Sequence, residues 1–204
     1  MILYTVDIRC IVSGMPRQAL ISREDILDAT LALADQRGLA AVTMRAVAAQ
    51  LGVTAMSLYH HVRDKDDLLD GLVERLLAEL PLPDPSLPGE ERLHALASSM
   101  RQTACRHPAA FPLLLRRPVA TEAALAVREV VYTALNDTGV PDELVPRVER
   151  LLSTFVIGFA ASEVGGRFAA HDQAVRDGDF EWAWGEVFAS IQRSSSLERA
   201  AGRG

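Results

Sequence analysis

Between residues 21 and 58 the chain sets one device three times: an apolar residue, a hydroxyl N-cap, and a second apolar residue four positions beyond the cap. The three copies are Ile21-Ser22 with Ile26, Val42-Thr43 with Val47, and Val53-Thr54 with Leu58. In each, the hydroxyl oxygen satisfies a free helix N–H, and the apolar pair staples the entering chain to the first turn. Helices are therefore expected to start at Ser22, Thr43 and Thr54. Asp25, three residues after Ser22, completes a capping box, and Gly38 and Gly52 stop the first two helices. Leu51-Gly52-Val53-Thr54 leaves only a short glycine-containing turn between the second and third, which is helix-turn-helix spacing. A fourth helix opens at Asp64, where Asp66 and Asp67 suit the positive end of the helix dipole. It runs to about Leu80, where Pro81, Pro83, Pro85 and Pro88 end it.

Beyond the prolines, periodicity predicts helices at roughly 90–106, 108–115, 121–137, 142–169 and 179–193, with turns at Gly139 and Gly178. The expected fold is all-α, with an N-terminal helix-turn-helix head and connecting helix at 16–80 and a larger helical body at 81–204. Residues 1–15 are read as an unordered extension before a natural start at Met15, because their β-branched run has no strand to pair with. Asp7 and Arg9 interrupt that run, and no basic residue precedes it, so a signal peptide is not expected.

Composition narrows the function. A net charge of −6 excludes a globally basic nucleic-acid binder. Residues 40–65 nevertheless carry Arg45, Arg63 and Lys65 against Asp64, a local +2, and Lys65 is the only lysine in the chain. Cys10 and Cys105 lack metal-site spacing, which points to a reducing, cytoplasmic setting. No apolar run reaches the roughly 18 residues of a membrane helix. In the third helix Leu58 and Val62 face inward at i, i+4, and the exposed set of Ala55, Met56, Ser57, Tyr59 and His60 has the small and hydroxyl character of a major-groove reader. His60-His61 do not suit a shared metal, since neighbouring helix residues point about 100° apart. No metal, cofactor or catalytic constellation is expected. The rival class is a helical enzyme or carrier for apolar molecules with a vestigial DNA-binding hairpin.

Thr43-Met44-Arg45-Ala46-Val47-Ala48, Leu51-Gly52-Val53 and the run from Leu58-Tyr59-His60-His61 to Asp67-Leu68-Leu69 resemble the DNA-binding domain of the TetR family of transcriptional regulators, over about residues 22–75. The body, notably Leu151–Gly166 and Phe180-Glu181-Trp182-Ala183-Trp184, resembles the ligand-binding and dimerisation domain of the tetracycline-repressor branch. The resemblance implies phosphate contacts from Thr43, Tyr59 and Lys65, and base readout by Arg45, Ala55, Met56, Ser57 and His60. It also implies a homodimer on a double-stranded, pseudo-palindromic operator. Because Leu113-Leu114-Leu115 and Pro81 stand where the namesake repressor uses its chelate-binding regions, a magnesium–tetracycline effector is not expected.

The residues of the body are compatible with this. The segment at 142–169 is apolar on more than one face, so it needs burial on several sides. One side is expected to pack across a two-fold axis together with Trp182, Trp184, Phe188 and Ile191. Met100, Val127, Val131, Tyr132, Phe155, Phe159 and Glu163 are expected to line a cavity for a small, largely apolar effector.

Overall fold

The computed structural model describes residues 21–117 and 121–201, with side chains as far as Glu198. The expectations for residues 1–15 and for Pro118 lie outside them. The described residues form eight α-helices and no strand: α1 (Arg23–Arg37), α2 (Met44–Gln50), α3 (Ala55–Leu58), α4 (Lys65–Ala78), α5 (Gly89–Arg106), α6 (Glu122–Asp137), α7 (Val145–Val164) and α8 (Gln173–Ala201). Among these residues no helix is long and apolar enough to cross a membrane.

Each helix of the head begins as its cap dictates. Ser22 accepts from the Asp25 N–H at 3.0 Å while Asp25 accepts back from the Ser22 N–H at 2.8 Å. Thr43 accepts from Ala46 at 3.1 Å, and Thr54 from Ser57 at 3.3 Å. Between α2 and α3 the Val53 N–H reaches the Ala48 carbonyl and the Gly52 N–H the Ala49 carbonyl, at 3.0 and 3.3 Å. This pair of bonds is a Schellman closure, and it needs the φ of +69° that Gly52 adopts without strain. The chain turns in two residues and meets the next cap immediately.

The head core holds Ile26, Val47, Leu58, Val62, Leu68 and Leu72, all essentially inaccessible. The body core gathers Leu93, Phe111, Leu135, Leu152, Phe180 and Trp184 from five further segments. Helix α4 contributes to both: Leu68, Leu72, Val73 and Leu76 belong to the first, Leu80 just beyond its end belongs to the second, and Leu77 packs against each. At the same junction the His107 ring places Nδ1 2.8 Å from Asp35 of α1 and Nε2 3.0 Å from Glu79 at the end of α4.

Three expectations are corrected. The segment at 108–115 is a 3₁₀ turn, Phe111–Leu115, because Pro108 and Pro112 lack the N–H groups that a longer α-helix needs. Helix α7 stops at Val164, not 169, since the Arg167 N–H closes back on the Ser162 carbonyl at 3.0 Å. Gly178 is no turn, because α8 already starts at Gln173, capped by Asp172, whose carboxylate accepts from the Val175 N–H at 2.9 Å. Phe180, Trp184, Phe188, Ile191 and Ser195 recur at helical spacing as one buried stripe. Trp184, Phe188 and Ile191 thus fill the chain's own core, and of the four residues expected at a partner only Trp182 faces outward.

Helix α5 starts in close contact with the end of α6. A Cβ at Gly89 would lie 2.3 Å from the Ala134 carbonyl oxygen, whereas one at Gly178 meets nothing within 4 Å. Gly89→Ala is expected to destabilise the fold by about 1–3 kcal/mol through overpacking, and Gly178→Ala to stabilise it by roughly 0.5–1 kcal/mol through helix propensity. Urea unfolding of both variants checks this; equal effects would contradict the packing at the α5–α6 corner.

Candidate functional site

The residues expected to meet DNA come from α2, α3 and the first turn of α4, which are held together from beneath by buried Val47, Leu58, Val62 and Leu68. Their outer side presents Thr43, Arg45, Tyr59, His60 and Lys65, all exposed, together with Met56 at 71% accessibility. Ala55 and Ser57 are half-buried, and Ser57 Oγ lies 3.0 Å from Thr54 Oγ1. Thr43 uses one hydroxyl lone pair as a cap, which leaves its O–H able to donate to an anion. Lys65 is the first residue of α4 and stands beside that helix's free N–H groups, where the dipole favours an anion. Neither Arg45 nor Lys65 makes an ion pair with another described residue. Nearby acids are engaged: Asp67 accepts from the Arg63 N–H at 2.9 Å, which holds its carboxyl below the usual range, and Asp66 pairs with Arg117.

Beneath this head lies a cavity of about 380 Å³. Val73 and Leu77 of α4 form one wall, Leu93, Leu96, Ala97 and Met100 of α5 another, and Val127 and Val131 of α6 with Leu152, Val156 and Ile157 of α7 close much of the rest. Leu114 and Trp184 complete the apolar surface, while Arg117, Arg128, Glu149 and Ser153 bring polar groups. The sequence pattern had singled out Met100, Val127 and Val131. It had missed the α4 residues and the polar ones. Val73 and Leu77 were legible as an i, i+4 pair, but Arg117 follows a 3₁₀ turn and belongs to no period.

Tyr132, Phe155, Phe159 and Glu163 do not line this cavity. Tyr132 packs half-buried against the body core. On α7, Phe155 and Phe159 pack toward α8, whereas Leu152, Ser153, Val156 and Ile157 reach the cavity. Phe155 and Phe159 meet Phe180, with ring centroids 6.1 and 5.2 Å away. Glu163, with only 6% of its side chain accessible, receives both arms of the Arg101 fork, from Nε at 2.6 Å and Nη2 at 2.7 Å. Arg101 also pairs with Asp177 at 2.7 Å and lies over the Phe180 ring, so it ties α5 to α7 and α8.

That fork holds the Glu163 carboxyl below the usual carboxylate range. A folded-state pKa below the unfolded value of about 4.3 means that this carboxylate stabilises the fold at higher pH and that its contribution disappears as pH falls through that region. Glu163→Gln is expected to cost about 2–4 kcal/mol at pH 7 and to flatten the loss of stability between about pH 5 and 3. Denaturation midpoints across that range provide the check, and parallel pH curves for the two proteins would contradict the assignment.

Against known proteins, residues 26–72 match the family described as bacterial regulatory proteins, tetR family, and residues 83–192 match the tetracyclin repressor-like C-terminal domain. An HTH-type transcriptional regulator of Saccharopolyspora erythraea is 34% identical over 145 residues, 71% of this chain and 61% of its own length. The HTH-type transcriptional repressor DrrR1 of Streptomyces coeruleorubidus is 29% identical over 164 residues, 78% of this chain and 60% of its own. The chain thus spans about 60% of the length of these curated relatives. The Streptomyces coelicolor TetR family protein ActR, solved in complex with actinorhodin, superposes with a TM-score of 0.75 at 24% identity, over 85% of this chain and 96% of that one.

Proposed function

The chain belongs to the tetR family of bacterial regulatory proteins, and from that premise we propose that it is a cytoplasmic, ligand-released transcriptional repressor that binds a pseudo-palindromic operator as a homodimer. One observation carries the reading: α4 begins at Lys65 in the DNA-facing head and ends as a wall of the cavity at Val73 and Leu77. A small, largely apolar molecule in the cavity presses on the far end of the helix that positions the head. The relatives support both halves of this reading, since one is named a transcriptional repressor and ActR is solved in complex with actinorhodin.

In the DNA-competent state α3 enters the major groove with Ala55, Met56, Ser57 and His60 toward base edges, and Arg45 reaches a guanine from α2. Thr43, Tyr59 and Lys65 hold the flanking phosphates. So few cations make a weak monomeric site. Two heads about 34–36 Å apart, one turn of B-DNA, double it. Effector binding favours a state in which that spacing no longer fits.

Binding to the intergenic DNA beside its own gene, by gel shift, tests the reading directly; no retarded band on any neighbouring promoter would contradict it. On the operator so found, Arg45→Ala is expected to lose about 1–3 kcal/mol and to relax preference at one base pair. Tyr59→Phe should weaken all sequences alike. Fluorescence anisotropy on wild-type and point-varied duplexes separates the two patterns, and full affinity in both variants would overturn the docking.

What the monomer leaves uncovered supports the dimer. Leu151 of α7 and Trp182 of α8 are 52% and 71% accessible, apolar side chains that a second copy could cover. Trp182→Glu is expected to yield a monomer of unchanged helicity that has lost operator binding. Sedimentation and circular dichroism at one concentration measure both; a dimer that survives the charge would place the interface elsewhere.

A further inference from the structure

Arg117 lines the cavity, yet its guanidinium is engaged outside it, on the DNA-facing half of α4. Nη1 donates to Asp70 Oδ1 at 2.6 Å and to the Asp66 carbonyl at 3.2 Å, and Nη2 donates to Asp66 Oδ1 at 2.6 Å. Asp66 adjoins Lys65, and Asp70 follows one helical turn later. The side chain thus stands between the effector cavity and the end of α4 expected to hold a phosphate.

We propose that Arg117 is an exchangeable clamp, and that the effector is an apolar molecule bearing a carboxylate-like anionic group which draws Arg117 away from Asp66 and Asp70. This rests on the regulator reading above and specifies the chemistry of its ligand. Three features of the site support it. Arg128 and Glu149 are the other charged residues of the lining, and Arg128 makes no ion pair with another described residue, so an Arg117 turned inward gives the lining a surplus positive charge. The carboxylates that Arg117 would leave are accessible, with 77% of the Asp66 side chain and 44% of that of Asp70 exposed, so water can replace the guanidinium there. An anion inside an apolar cavity has no such replacement and gains most from a two-armed donor.

The exchange acts on DNA binding in two ways. It unties the first turns of α4 from the body, and it leaves Asp66 and Asp70 without a counter-charge beside Lys65, where they repel phosphate. Effector and operator then oppose one another reciprocally, as linkage requires.

The test uses the full chain and two probes with the same apolar body, 2-naphthoate and 2-naphthamide, titrated by calorimetry without DNA. The expected result is that the acid binds at least tenfold more tightly than the amide, and that Arg117→Gln removes the difference. The double variant Asp66→Asn/Asp70→Asn should bind the acid several-fold more tightly than wild type, because nothing competes for the guanidinium. If circular dichroism shows Arg117→Gln to be unfolded, that double variant decides alone. An acid that binds no better than the amide or not at all, or a double variant with wild-type affinity, would overturn the proposal. The operator gel shift keeps the two readings apart: normal DNA binding with equal acid and amide affinities removes the clamp only, whereas no DNA binding by wild type removes the regulator.

Discussion

A single helix has to satisfy two cores at once, and most of the molecule's organisation follows from that constraint. Leu68, Leu72, Val73 and Leu76 of α4 complete the head, while Leu77 and Leu80 at its end enter the body. A rigid helix buried at both ends cannot shift at one end alone, since close-packed interiors change arrangement in discrete steps. The two acidic contacts of His107, one to α1 and one to the end of α4, sit at the same junction. Any event in the cavity that moves Val73 or Leu77 is therefore felt at Lys65.

The ion pairs around this helix differ in kind from those in the body. Arg101 and Glu163 are shielded, two-armed and backed by Phe180, so parting them would strand a charge without water. They fix α5 against α7 and α8. Arg117 with Asp66 and Asp70 has comparable geometry but accessible carboxylates, and exposed pairs contribute little net stability. The first network suits a scaffold and the second suits a contact that can be remade. In a chain of net charge −6, Asp66 and Asp67 beside Lys65 are each held by an arginine.

Residue pattern alone reached the head nearly complete. Caps, staples and the Gly52 turn are local devices whose geometry depends on residues at most five positions apart, so Ser22, Thr43, Thr54 and Asp64 announced their helices without knowledge of the fold. The exposed side chains of α2 and α3 followed from the same phase. In the body the signal weakened because several helices are apolar on more than one face, and periodicity then says that a side chain is buried without saying against what. Hence Phe155 and Phe159 were grouped with the cavity though they pack on Phe180, and Phe188 was given to a partner though it fills its own core.

Short-range hydrogen bonding and helical phase are enough to set the helical class, the start and stop of the head's helices and the side chains that face away from its core. Tertiary contacts set which of the body's apolar stripes surrounds the cavity, that Glu163 receives the Arg101 fork, and that Arg117 bridges that cavity and a helix 47 residues earlier at Asp70. Those depend on where distant segments come to rest, and that is set by the packing of whole helices, which no local spacing encodes.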